Sequence, residues 1–223
     1  MKAWERQLAR VVGRLDSVVV SPLAARIDEF IEALLIVAIA SWESEAFRRF
    51  NDHEVNCAVR VLDHCLRIQK QSREFQVLTL VAEWHQFLPA MLRGEESASN
   101  AARPDLRVVL GSSARLVESK RLALRDGLPA AYVIEGMNRF LSGRYVIDGS
   151  RAVMIGYLVE EDAGVVVPAI NTVIDGQPKM SSADHLRHDR DVTERYHLYR
   201  SHHHHMESTL AVEIAHHLAH IGP

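Results

Sequence analysis

The stretch from Arg103 to Lys120 constrains the fold more than any other part of this 223-residue chain. Two β-forming runs, 105–110 and 114–122, are separated only by the tight turn Gly111-Ser112-Ser113. A connection this short predicts that the runs pair as an antiparallel hairpin. Side chains on a strand alternate between faces, so Glu118 and Lys120 point to one side and Ser119 to the other. Asp105 opens the facing strand, and a hairpin closed at 111–113 can bring it toward Glu118 where the sheet bends or splays.

The residue types on this hairpin carry a specific chemistry. Asp105, Glu118 and the backbone carbonyl of Ser119 would give hard oxygen ligands, which suit Mg²⁺, with Mn²⁺ as a substitute. Lys120 would lie beside a metal-bound water, where it could orient that water, help lower its pKa or neutralise a phosphate in the transition state. An acid-x-Lys triplet alone is a weak signal. Of the four lysines here (Lys2, Lys70, Lys120 and Lys179), however, only Lys120 has an acid two positions earlier. Of the seven prolines only Pro104 is followed by Asp.

Around the hairpin the pattern predicts an α/β chain. Residues 2–16 and 22–49 read as helices, the second opened by Ser21-Pro22 and carrying Ile27, Phe30, Ile31, Leu34 and Leu35 at helical spacing. Its middle, Leu34 to Ala40, is apolar on all sides and could instead be a buried strand. Asn51 to about Gln69 reads as a further helix, and Phe75 to Val81 as a strand ending at Glu83. Residues 84–103 read as a loop, 127–141 as a helix, 152–159 as a buried strand and 163–174 as a helix. Residues 177–191 read as a mobile polar loop, with strands at 193–199 and 209–218. This divides the chain into an N-terminal helical extension (1–50), a core (51–160) and a C-terminal extension packed on the same domain (161–223).

The pattern Pro104-Asp105 … Glu118-Ser119-Lys120 resembles the PD-(D/E)xK nuclease superfamily, which has the restriction-endonuclease-like fold. The order helix, three strands, helix, strand over 51–159 is similar to that family's αβββαβ core. The looser run Ile134-Glu135-Gly136-Met137-Asn138-Arg139-Phe140 … Gly143-Arg144-Tyr145 … Ala152–Tyr157 resembles defence-associated relatives. The resemblance implies a Mg²⁺-dependent endonuclease cutting DNA, possible roles in restriction or phage defence, and dimerisation to cut both strands. It also implies a candidate catalytic set of Asp105, Glu118, Lys120 and Glu54, with Glu54 completing the metal site from the first core helix. Glu83, at the end of the first core strand, is the alternative fourth ligand. Against Glu54 stands the spacing Asn51 to Glu54, a capping-box signature that would tie Glu54 to the helix start. A non-catalytic binding or regulatory module that keeps the same fold is the second reading.

Charge bears on the partner. The net charge of −3 argues against a nucleic-acid-coating protein, but residues 103–151 hold nine basic and five acidic side chains, a local excess that suits a phosphate-rich substrate. Arg121, Arg139 and Arg144 are the candidate DNA contacts, while Tyr145 and Tyr157 read as core. The longest mainly apolar run, Ala33 to Trp42 with only Ser41 interrupting it, is ten residues, short of the roughly 20 that span a bilayer. The N-terminus lacks the pattern of a signal peptide, so a cytoplasmic location is expected. Cys57 and Cys65 read as reduced core residues.

Thirteen histidines include the consecutive run His202–His205, either a purification remnant or a metal-binding tract. With His197, His216, His217 and His220 nearby, a Zn²⁺ or Ni²⁺ site is conceivable. Glu213 and His216 have the Glu-x-x-His spacing of di-iron helical bundles, although their segment alternates like a strand. A helical metalloprotein is therefore a third reading.

Overall fold

The computed structural model describes residues 26–48, 53–87, 89–147, 149–206 and 210–222. The expected helix at 2–16, the Ser21-Pro22 start and the Asn51 cap lie outside the described residues. Within them the protein is a mixed α/β structure on a seven-stranded sheet of order β1-β2-β3-β4-β7-β6-β5. The strands are β1 (Thr79–Ala82), β2 (Leu106–Leu110), β3 (Ser113–Leu122), β4 (Arg151–Leu158), β5 (Arg187–Thr193), β6 (Tyr196–His204) and β7 (Ala211–His220). The pairs β1–β2, β2–β3, β5–β6 and β6–β7 are antiparallel, whereas β3–β4 and β4–β7 are parallel.

Two helical layers cover the sheet. On one face lie α1 (Ile27–Ser44) and α2 (Glu54–Gln71). Ile27, Phe30, Ile31, Leu34, Leu35, Ala38, Ile39 and Trp42 of α1 are buried, and their three-and-four spacing makes one apolar stripe. The run 34–40 is thus helical, not a strand. Cys57 and Cys65 lie in the same core. On the other face, Leu128–Ala131, Tyr132–Met137 and Asn138–Leu141 form one continuous helical stretch, α3, whose middle segment is π-helical. Next to it lies α4 (Ala163–Asp175). The two cores, one under α1 and α2 and one under α3 and α4, are separated by the sheet.

β4 is buried on both faces from Ala152 to Leu158, which explains its unbroken apolar run between two parallel neighbours. No helix among the described residues is long and apolar enough to cross a membrane.

Several boundaries differ from the sequence reading. Phe75–Val77 is a 3₁₀ turn, so β1 is limited to 79–82. The turn is held by the Gln69 side chain, whose amide donates to the Phe75 and Leu78 carbonyls at 3.2 and 2.5 Å. The expected loop 84–103 contains helical turns at Pro89–Leu92 and Ala98–Asn100 and a bridge between Gln86 and Ala102. The expected loop 177–191 contains the start of β5. Its polarity belongs to an edge strand, where exposed charges such as Arg187, Asp189 and Arg190 discourage pairing with other chains.

Candidate active site

The site is built where β2 stops short of β3. β2 begins at Leu106, opposite Val117, while β3 continues to Leu122. In a ladder the N–H and C=O of one residue point to the same neighbour, and successive residues alternate. Leu122 turns its carbonyl toward the β4 side, where it accepts from Val159 N–H. Ser119 and Arg121 therefore face the β2 side, beyond the end of β2. Carboxylates satisfy both N–H groups: Asp105 Oδ2 accepts from Ser119 N at 2.7 Å, and Glu54 Oε2 accepts from Arg121 N at 3.3 Å. Asp105 Oδ2 also accepts from Ser119 Oγ at 2.6 Å. By the same alternation the Ser119 carbonyl turns toward Asp105.

Extending the observed registers by one residue puts Glu83, Asp105 and Glu118 in one row across three strands. Glu83 N–H donates to the Asp105 carbonyl at 3.1 Å. Its backbone, with φ +44°, then turns out of the sheet and leaves its side chain exposed. Glu118 and Lys120 share a face, as alternation requires, with Lys120 Nζ 3.1 Å from Glu118 Oε1. Glu118, Ser119 and Lys120 are all buried in the middle of a central strand. Three consecutive polar residues there are costly unless each is paired, and each is.

Glu54 is the first residue of α2, following His53 as N-cap. It thus stands too early to act as the third residue of a capping box. Its Oε1 instead accepts from Lys120 Nζ at 2.7 Å. Lys120 is therefore held between two carboxylates from separate elements.

The other half of the cluster comes from Arg139 and Tyr145, which the sequence pattern marks only as a candidate DNA contact and a core residue. Arg139 Nη1 donates to Glu118 Oε1 at 2.5 Å, and Tyr145 Oη donates to Glu118 Oε2 at 2.5 Å. Arg139 Nη1 also lies 3.0 Å from Tyr145 Oη. Gly143, at φ +76° just past the end of α3, turns the chain back so that Tyr145 N–H reaches the Arg139 carbonyl. Tyr145 is buried, as expected, but as a ligand of Glu118. The π-helical segment supplies close approach: a Cβ at Gly136 would stand 2.6 Å from Met154 Cε and 3.4 Å from Lys120 Cγ. Such π segments recur at functional sites. Replacing Tyr145 by Phe should cost about 1–3 kcal/mol, because one buried Glu118 oxygen loses its donor. Urea denaturation unchanged from wild type would contradict that bond.

Burial, and then the neighbouring Asp105 charge, hold the Glu118 carboxyl above the usual range, and burial does the same for Asp105. Burial works against the Lys120 ammonium, but Glu118 and Glu54 outweigh it and raise its pKa. Lys120 therefore stays charged at neutral pH. It can donate, orient and neutralise, but it cannot take a proton from water.

Arg139 and Arg144 line a cleft of about 460 Å³ with Ser99, Ala101, Arg103 and Tyr145. Arg121, by alternation, lies on the opposite face of β3 from Lys120. A second, mostly apolar cavity of about 110 Å³ lies against α2 and includes Glu83, Asp105, Ser119 and Tyr157.

As a place for Mg²⁺, the donors Asp105, Glu118 and the Ser119 carbonyl have the right chemistry, being hard oxygens. Three carboxylates (Asp105, Glu118, Glu54) meet two cations (Lys120, Arg139), so the cluster keeps a negative excess that a cation would relieve. Arg139 must leave Glu118 Oε1 for a metal to take that oxygen. Among the described residues, the one group of three or more His, Cys, Asp or Glu side chains with ligand atoms within 4.8 Å of one another is His188, Asp191 and His197, elsewhere in the fold. Neither Glu54 nor Glu83 completes such a group with Asp105 and Glu118.

Of the other histidines considered from the sequence, His203, His216, His217 and His220 are engaged in side-chain hydrogen bonds, whereas His202 and His204 are exposed. Buried His216 lies between Tyr132 Oη (2.9 Å) and Ser201 Oγ (2.8 Å), and buried His203 Nε2 lies 2.6 Å from the same Ser201 Oγ. His217 bonds Tyr196 Oη, and His220 Nδ1 lies 2.9 Å from Arg195. Glu213 and His216 lie on strand β7, on opposite faces, so their spacing is not that of a helical iron site. Glu213 accepts from Arg200 instead.

No protein-family model, curated protein or solved structure matches the chain.

Proposed function

We propose that the protein is a Mg²⁺-dependent nuclease of the restriction-endonuclease-like type, cutting DNA phosphodiester bonds. One observation carries this reading: Asp105 stands across from Glu118 at the end of β2, with the charged Lys120 3.1 Å from Glu118. That is the Asp, Glu and Lys set on which the PD-(D/E)xK resemblance rests. Asp105, Glu118 and the Ser119 carbonyl would hold the metal. Bound there, Mg²⁺ supplies a Lewis acid that lowers the pKa of a coordinated water and offsets charge on the phosphoryl group. Lys120 remains an ammonium and donates to the attacking water or to a phosphate oxygen. Glu54 aims that ammonium from α2. Arg139, released from Glu118, joins Arg103 and Arg144 in the adjoining cleft as a contact for the phosphate backbone.

The test is cleavage of plasmid and linear DNA with Mg²⁺ or Mn²⁺ by wild type, Asp105→Asn and Lys120→Met. Asn at 105 keeps an acceptor for the Ser119 N–H, so the fold is preserved. Both variants should lose about 10²–10³-fold in rate, the scale of one removed transition-state contact. Wild type that leaves DNA intact in every metal, or an Asp105→Asn protein that cuts equally well, would sink the reading.

One observation favours a non-catalytic module of the same architecture. Both Glu118 oxygens already have protein donors, in Arg139, Lys120 and Tyr145, and such a closed cluster is stable without metal. Calorimetric titration separates the two. The nuclease reading requires Mg²⁺ or Mn²⁺ binding that is lost in Asp105→Ala, whereas the closed cluster binds neither.

A further inference from the structure

We infer that the β5–β6 hairpin carries a zinc-class metal site made by His188, Asp191 and His197, independent of the nuclease reading. Residues three apart on a regular strand point to opposite faces, so His188 and Asp191 should not meet. The observed register pairs His188 with Tyr199 and Asp191 with His197. β5 thus spends three steps where β6 spends two, and a bulge between His188 and Arg190 absorbs the extra residue. The bulge returns His188 to the face of Asp191, and the pairing puts His197 directly across from Asp191. Re-aiming a side chain is a recognised use of such bulges.

The resulting contacts are close. Asp191 Oδ1 lies 2.8 Å from His188 Nε2 and 2.7 Å from His197 Nδ1. The three ligand atoms all fall within 4.8 Å of one another. Two imidazole nitrogens and one carboxylate oxygen are the donor set of three-ligand zinc sites, which leave a fourth position for water or a further ligand. Nitrogen donors favour Zn²⁺, Ni²⁺ or Cu²⁺ over Mg²⁺ or Ca²⁺, which prefer oxygen. His188 and Asp191 are largely exposed, and His197 is partly so, giving an entry path from solvent. The ring of His188 is braced edge-on against Tyr199, with centroids 5.2 Å apart.

The location gives the site a consequence. Among the described residues, β5 is the last strand of the sheet and pairs only with β6. Two ligands sit on β5 and one on β6, so a bound ion would tie the edge strand to its neighbour across the bulge.

The experiment is Zn²⁺ titration of the full chain against a chromophoric chelator, with Co²⁺ absorption reporting the ligand geometry. Exposed His202 and His204, with His205, are the obvious competing ligands. A second protein therefore replaces these three by Ala. One equivalent of Zn²⁺ should bind to wild type and persist in that triple variant. It should weaken in His188→Ala and in His197→Ala by at least the roughly tenfold that even an outer-sphere partner contributes. Both substitutions lie on the sheet edge, and circular dichroism verifies that they fold. Zinc binding unchanged in His188→Ala and His197→Ala, lost in the variant lacking His202, His204 and His205, or absent from wild type would overturn the inference.

Discussion

Glu118→Ala should destabilise the fold by about 3–5 kcal/mol, the cost of breaking a buried charge pair by removing one partner. Glu118 is fully buried and is the shared acceptor of Arg139, Lys120 and Tyr145. Without it the Arg139 guanidinium and the Lys120 ammonium confront each other beneath α3, with Glu54 in contact with Lys120 and the nearby Asp105 charge as the remaining compensation. For a chain of this size the melting temperature should fall on the order of 10 °C. Glu118→Gln should lose less, because an amide oxygen still accepts from Tyr145 or Arg139. Urea denaturation of the two variants measures the difference. An Ala variant as stable as wild type would mean that Arg139 and Lys120 find solvent as readily as they find Glu118. It would also remove the case for a preorganised site.

Acid should unfold the protein well above the pH at which carboxylates usually titrate. Burial holds His203 down to about 4, His217 down to about 3, and His216 well below the ordinary range. In the unfolded chain these histidines titrate near 6.5. Above that pH they are neutral in both states and cost nothing. As the pH falls from about 6.5 toward 4, the unfolded state takes up protons that the folded state refuses, and stability drops. Each histidine contributes about 1.4 kcal/mol per pH unit across that window, so the three together should make the unfolding free energy about 6 kcal/mol lower at pH 5 than at pH 7. The raised carboxyls of Asp105 and Glu118 act with the opposite sign. They accept protons in the folded state before the unfolded chain does, and so offset part of the loss as the pH falls toward the ordinary carboxyl range. Equal stability at pH 5 and pH 7 would show that these histidines are not held neutral. His217→Asn should flatten the slope if they are.

Much of this architecture could be read from local pattern. The Gly111-Ser112-Ser113 turn dictated the hairpin, and strand alternation put Glu118 and Lys120 on one face. The three-and-four spacing of Ile27 to Leu35 marked the buried side of α1, and the continuous apolar run at 152–158 marked a strand covered on both sides. The misreadings are equally physical. Edge strand β5 has the composition of a loop because an unpaired edge is kept polar. Asn51 and Glu54 suggested a cap, but the helix starts at Glu54, whose carboxylate is taken by Lys120 and by Arg121 N–H.

What the sequence by itself determined is the set of local choices: where strands and helices form and which side chains share a face. These depend on periods of two and 3.6 residues and on turns a few residues long. Only the tertiary structure decided which groups meet. Arg139 and Tyr145 reach Glu118 because α3 packs on β3 and Gly143 turns the chain back. Glu54 reaches Lys120 because β2 ends early and leaves a gap at the edge of β3. His188 joins Asp191 because a bulge absorbs one residue of register. Each of these depends on packing between segments far apart in the chain, or on a one-residue shift of register, and neither leaves a period in the sequence.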